Sequence, residues 1–209
     1  KVKIEQNLSV ANAVIEGQEN ERRRVAKELH DGIGGRIAAI SYKVSSTENN
    51  FELKTELDKT LNELRQISRN LMPESLLKTS LKTSLKDLCN MYVHENQNVF
   101  LQVLDVNEDI ENSIKLNIYR IIQELLSNAT KYAKAKEIIV QVSQNEDIIY
   151  ITVEDNGIGF AIAKQHFGLG LTTIKNRVAY LNGNLEIDSV PNQGTSINIQ
   201  VSIHKNIIS

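Results

Sequence analysis

From Ile4 the positions Leu8, Ala11, Ile15, Gln18, Arg22, Val25 and Leu29 follow alternating spacings of four and three. That pattern predicts a long helix with an a/d seam, as in coiled coils and helical bundles. Gln18 and Arg22 loosen the seam just before His30, and the apolar positions resume at Ile33, Ile37, Ile40 and Val44. The polar run Ser45-Ser46-Thr47-Glu48-Asn49-Asn50 breaks it. A second seam through Leu53, Leu57, Leu61 (or Thr60), Leu64, Ile67 and Leu71 predicts a second helix, stopped by Pro73. Two long helices with a short polar turn make a helical hairpin. A lone pair of helices buries its apolar stripe poorly. Two hairpins joined as a four-helix bundle bury it well, so residues 1–72 are expected to form a homodimer.

After Pro73 the pattern changes. Leu77 to about Glu95 reads as a helix, Val99–Leu104 as a short strand and Ser113–Ala133 as a longer helix. Ile138–Val142 and Ile148–Val153 are β-branched strands with Asn145-Glu146-Asp147 as turn chemistry between them. A glycine-rich loop, a helix at Leu171–Leu181, and strands near Leu185–Ile187 and Thr195–Ile203 follow. These elements predict an α+β sandwich over residues 76–203, a mixed sheet covered by helices, with 204–209 as a tail.

Composition narrows the picture only slightly. With 41% hydrophobic and 24% charged residues the chain is an ordinary globular one, and its net charge of −2 leaves no general footprint for nucleic acid. Arg22-Arg23-Arg24 reads as a solvated helix face. Cys89 is the sole cysteine, so no intrachain disulfide forms, a reducing compartment fits, and its amphipathic setting marks a buried core residue. No apolar run reaches the roughly 18 residues of a membrane span. The chain opens at Lys1 already in helical register, so we expect a fragment or processed form of a longer protein, with any sensor or membrane segment upstream.

Glu124, Asn128 and Lys131 are spaced i, i+4, i+7 and share one helix face. An exposed polar stripe explains that spacing. So does a site in which Asn128 offers its carbonyl oxygen to Mg²⁺, Lys131 neutralises phosphate oxygens and Glu124 orients water or a ligand. Asp155-Asn156-Gly157-Ile158-Gly159 follows directly on a strand. It can be a plain turn, or a place where glycines let backbone approach a ligand while Asp155 accepts from an adenine amino group. Gly168-Leu169-Gly170 precedes a helix, whose free amides and dipole suit a phosphate chain. The hydroxyl of Thr195, at the start of the last strand, could reach the base. Each segment is weak alone; their order and spacing carry the specificity.

His30 stands beside Asp31, with Gly32, Gly34 and Gly35 following. Glycine costs a helix about 1 kcal/mol relative to alanine, so three so close together need a reason. Open space for a docking domain is one; a kink or a close helix approach is the other. Neutral imidazole has one nitrogen free as nucleophile, and Asp31 can take or hold the proton on the other.

Residues 113–203 resemble the ATP-binding domain shared by histidine kinases, gyrase, the Hsp90 chaperones and the MutL repair proteins. Glu124 and Asn128 match its N box, Asp155-x-Gly157-x-Gly159 its first glycine box and Gly168-x-Gly170 its second. Residues 21–73, through Glu28-Leu29-His30-Asp31 and Leu71-Met72-Pro73, resemble the dimerisation and phosphoacceptor domain of nitrate-sensor-type sensor histidine kinases. The short stretch from Asp155 to Gly168 agrees with that group. The resemblance implies an enzyme using ATP and Mg²⁺, autophosphorylated on His30 and passing the phosphoryl group to an aspartate of a response regulator, usually a DNA-binding one. It implies a cytoplasmic catalytic core that itself contacts neither nucleic acid nor membrane. Tyr132 stands where the group usually has a histidine, which alters phosphate contacts without abolishing binding. Gly35 stands where such kinases often carry a glutamine that positions water, so weak phosphatase activity toward the partner is expected. Two other functions were weighed against this: a degenerate nucleotide-binding scaffold and an ATP-hydrolysing clamp of the gyrase or MutL type.

Overall fold

The structure, a computed structural model, describes residues 2–45, 51–71, 79–162 and 168–203. By internal contacts the chain divides into two compact units: Ala13–Glu74, and Ser75–Ser209 together with Lys1–Asn12.

In the helical unit, α1 (Val2–Glu28) passes into a π-wound turn, Leu29–Gly34, and on into α2 (Gly35–Ser45); α3 is Phe51–Leu71. The expected turn at 46–50 and the stop at Pro73 lie outside the described residues. Three contacts fix α3 antiparallel to the first helix. Ser68 Oγ donates to Ala26 O at 3.2 Å, Gly34 lies under the Leu64 side chain, and Ser41 Oγ donates to Asp58 Oδ1 at 3.0 Å. On the exposed side Arg24 bridges Glu21 and Glu28, so Arg23 and Arg24 of the basic run lie on a solvated face, while Arg22 is half-buried.

The inner face differs from the expected seam. Its buried or half-buried positions among the described side chains are Ile15, Glu19, Arg22, Val25, Ala26, Leu29, Gly34, Ile37, Ser41 and Val44. Gln18 is exposed, and Gly34 replaces Ile33. The step from Leu29 to Gly34 is five residues instead of four because the π winding takes up one extra residue. Ile33 and Ile40 are therefore left about half exposed, at 48% and 50%, as are Leu53 and Ile67 on α3, at 51% and 53%. One hairpin leaves an apolar stripe in water, as its sequence anticipated.

The second unit begins with α4 (Leu81–Asn90), shorter than the helix expected over 77–95. Ser80 caps it by accepting from the Thr83 N–H at 3.1 Å, and beyond Asn90 the chain turns back on itself through the His94–Gln97 bridge. Then come β1 (Asn98–Leu104), α5 (Asn112–Lys131), β2 (Glu137–Asn145), β3 (Ile148–Asp155), α6 (Leu169–Tyr180), β4 (Asn184–Val190) and β5 (Gly194–Ser202). The sheet order is β1-β2-β3-β5-β4; β1 pairs parallel to β2 and every other pairing is antiparallel.

Alternation along the strands sets the two faces. Ile138, Val140 and Val142 of β2, Ile149, Ile151 and Val153 of β3, and Ile197, Ile199 and Val201 of β5 pack with α4, α5 and α6 in one core. The opposite face carries a polar row across four strands. Gln141 Nε2 donates to Gln102 Oε1 at 3.0 Å, and Thr152 Oγ1 to Asn198 Oδ1 at 2.8 Å. Cys89 lies in the core, where burial pushes its thiol up to about 12. Among the described residues no helix is long and apolar enough to cross a membrane.

The glycines near His30 divide into two kinds. A Cβ on Gly34 would come within 3.3 Å of Leu64 Cδ2, whereas one on Gly35 or Gly17 would meet nothing within 4 Å. Gly35→Ala and Gly17→Ala should each raise stability by about 0.5–1 kcal/mol through helix propensity. Gly34→Ala should instead lower it by about 1 kcal/mol through overpacking. Urea denaturation followed by helical circular dichroism would show this; equal gains at positions 34 and 35 would refute close packing at Gly34.

Candidate active site

Glu124 and Asn128 stand one turn apart on α5, whose other faces are held in the core by Ile118, Ile122 and Leu126. Gly170 of α6 lies directly against them. A Cβ there would meet Glu124 Oε1 and lie 3.4 Å from Asn128 Nδ2, so a side chain at this position would displace the Glu124 carboxylate. Gly168 caps α6 with extended backbone, and its carbonyl accepts from both the N–H and the Oγ1 of Thr172 at 3.1 Å. The first amides of α6 have no carbonyl acceptor within their own helix, and the positive end of its dipole lies there. Two of the sequence-predicted segments thus meet.

Asp155 ends β3 and is half-buried. Its Oδ1 accepts from the Gly157 N–H at 2.8 Å, and it is paired across the sheet with Thr195 of β5. Burial pushes its carboxyl above the usual 3.8, against the backbone N–H donors of Gly157 and Thr195, which lower it. A carboxylate accepts about four hydrogen bonds, so capacity remains for a ligand donor. Gly157 packs against Ala133, whose carbonyl accepts from the Ile158 N–H at 2.9 Å; the Ala133 N–H in turn donates to Asn128 O at 3.1 Å. The first glycine segment is thereby tied to the end of α5. Gly159, at φ +51°, packs against the carbonyls of Val190 and Gly194, where no side chain fits.

Three supporting residues escaped the sequence. Asn156 Oδ1 accepts from the N–H groups of Lys136 and Glu137 at 2.9 and 3.0 Å, holding the strand tip. Ser189 Oγ accepts from the Phe160 N–H at 2.9 Å and lies 3.0 Å from Thr195 Oγ1, so the Thr195 hydroxyl already has a partner. The Ala133 carbonyl carries no side-chain signal at all. Asn-Gly reads as a turn, and only the fold shows what that asparagine holds. Lys131 is exposed in the last turn of α5, outside these contacts.

For a divalent cation the oxygen donors here are Glu124 and Asn128. Among the described residues no three histidine, cysteine or carboxylate ligands gather anywhere. A sparse hard-oxygen set suits Mg²⁺, which keeps waters and takes phosphate oxygens, better than a cation needing a full protein cage.

In the helical unit His30 and Asp31 occupy the π turn. His30 Nδ1 lies 3.1 Å from Asp31 Oδ1, and the histidine side chain is 71% exposed. Neighbours in sequence do not face one another on an α-helix; here the two side chains meet. A carboxylate can only accept, so in a neutral imidazole this contact favours the tautomer with hydrogen on Nδ1.

Comparison with known proteins gives the family of both units. The family described as "Histidine kinase" matches residues 21–76, and that described as "Histidine kinase-, DNA gyrase B-, and HSP90-like ATPase" matches residues 113–205. The chain is 31% identical to the oxygen sensor histidine kinase NreB of Staphylococcus carnosus, over 90% of this chain and 58% of that protein. It is 28% identical to the signal transduction histidine-protein kinase/phosphatase DegS of Brevibacillus brevis, over 91% of this chain and 53% of that one. The chain therefore spans somewhat over half the length of these relatives. In fold it is similar to the histidine kinase domain of a blue-light activated histidine kinase from Erythrobacter litoralis. The TM-score is 0.51 at 18% identity, covering 80% of this chain and 93% of that one. A histidine bonded to its neighbouring carboxylate, followed in the chain by an ATPase domain with its glycine segments closed on α5, places this protein in the sensor histidine kinase family.

Proposed function

We propose that this chain is the catalytic core of a sensor histidine kinase that transfers the γ-phosphoryl group of ATP to His30 and then to an aspartate of a response regulator. The His30–Asp31 pair carries this reading, because its geometry favours one nitrogen as nucleophile. His30 Nε2 attacks the γ-phosphorus; an N–P bond forms as the P–O bond to ADP breaks, and ADP leaves. The ring becomes cationic in that step. Asp31 accepts the Nδ1 proton or stabilises the charge, then releases the proton to water.

Such transfer depends on positioning and charge neutralisation. Gly168, Leu169 and Gly170 would cradle phosphate oxygens with backbone amides, and Lys131 would add a positive charge. Asp155 would accept from the adenine amino group, with Gly157 and Gly159 letting the backbone close on the nucleotide and Thr195 completing that wall. Glu124 would orient the reacting groups, and Asn128 would hold Mg²⁺, which when bound neutralises phosphate charge. The half-exposed stripe of Ile33, Ile40, Leu53 and Ile67 supports a homodimer through a four-helix bundle. Gly35 lies in open space and offers no side chain to position water, so dephosphorylation of the partner is expected to be weak.

Incubation with labelled Mg·ATP should put acid-labile, alkali-stable phosphate on the protein, and His30→Gln should abolish it. Asp31→Asn should cut the rate by about 100-fold or more with ATP affinity unchanged; an unaltered rate would remove Asp31 from the mechanism. ATP binding without any label would favour the nucleotide-binding scaffold.

Asp155→Asn separates binding from stability. Because burial raises the Asp155 pKa, the folded state holds the proton more tightly than the unfolded one. Its contribution to stability is favourable below about 3.8 and is lost as pH rises through the folded value. The variant should therefore be at least as stable as wild type at pH 7, with the difference shrinking as pH falls toward 4, while ATP affinity drops by about tenfold or more. A variant clearly less stable at neutral pH, by urea midpoint, would contradict this.

A further inference from the structure

α5 and α6 meet at a second level besides the one at the glycine segment. Two turns into α6, Arg177 is only 3% exposed, and its Nη1 donates to Asn117 Oδ1 at 2.9 Å; Asn117 is 5% exposed. Asn117 is itself oriented by donating from Nδ2 to the Ser113 carbonyl at 2.8 Å. On α6, Gly170 and Arg177 are seven residues apart; on α5, Asn117 and Glu124 are also seven apart. Seven residues are about two turns and about 10 Å of helix, so each pair shares a face. Gly170 meets Glu124 and Arg177 meets Asn117, which makes two rungs at matching intervals along an antiparallel helix pair.

Between the rungs lie Ile121 and Ile174, both fully buried. Apolar contact is non-directional and tolerates sliding of one helix along the other. The hydrogen-bonded rung does not, because a shift of about 1 Å lengthens a 2.9 Å bond beyond useful range. A buried guanidinium is also costly in desolvation, and its best-attested use is to specify register.

We propose that Arg177 and Asn117 are positioning residues that lock the axial register of α6 on α5, and so hold Gly168–Gly170 against Glu124 and Asn128 for nucleotide phosphates. This rests on the nucleotide site described above and adds residues about 10 Å from it. Replacing Arg177 removes the charge as well as the bond and leaves a neutral amide. Register would loosen, and the buried Asn117 oxygen would lose this donor, so stability falls as well.

The test is calorimetric titration with Mg·ADP, beside urea denaturation, of wild type, Arg177→Met, Arg177→Lys and Asn117→Ala. Arg177→Met should bind about tenfold more weakly under conditions where it is fully folded, with a lowered denaturation midpoint, and Arg177→Lys, which keeps one donor, should recover part of both losses. Should Arg177→Met not fold, Asn117→Ala removes the same rung from α5 and should weaken binding likewise. In a cycle with Gly170→Ala, the double variant should lose less than the sum of the single losses, although sites this far apart normally add. Tight binding by wild type with unchanged affinity in the variants, or strict additivity, would overturn the register lock alone. Failure of wild type to bind Mg·ADP would overturn the nucleotide site and the lock together.

Discussion

Gly170 of α6 lies against Glu124, whose carboxylate end occupies the space a Cβ would take, with Asn128 beside it. This contact brings the start of one helix onto the polar face of another. The amides that open α6 are thereby placed beside the oxygen donors of α5. The face of α5 turned away from them is packed by Ile118, Ile122 and Leu126 into the sheet core, so it cannot yield. Rigid burial on one side and a missing Cβ on the other together set how closely α6 lies on α5.

The other wall depends on backbone as well. Asp155 is held at the strand tip by the Gly157 amide, Gly157 rests on Ala133, and Ala133 closes the end of the helix that carries Asn128. A series of hydrogen bonds and one packing contact thus joins the tip of β3 to the end of α5. Partial burial of Asp155 trades stability for recognition: desolvation raises its pKa, and an acceptor of that strength remains available for a donor on the ligand.

In the helical unit the π turn decides the chemistry and the packing at once. It lets His30 and Asp31 meet, favouring the tautomer with hydrogen on Nδ1, and it moves the buried step from Ile33 to Gly34, under Leu64. The displaced Ile33 and Ile40 remain on the surface with Leu53 and Ile67. The reactive histidine therefore sits at the same place where the intrachain seam changes register.

By itself the sequence determined the kinds of element and marked the candidate positions for chemistry. Spacings of three and four, β-branched alternation and turn residues are local signals, and they placed the hairpin, the strands and α5 within a few residues. Glu124, Asn128, Asp155 and the glycine segments were legible because residue type and order survive in one dimension. Helix ends were less so: Ser80 and Asn90 bound α4 through a cap and a turn that the apolar pattern overran. Tertiary structure alone decided the rest. No heptad count foresees that a π turn moves burial from Ile33 to Gly34, since that choice depends on the helix packed opposite. Neither could spacing show that Arg177 reaches Asn117, or that Ser189 and Asn156 support the pocket. Those bonds join positions far apart in the chain, and only the closed sheet and the paired helices bring the donor to its acceptor.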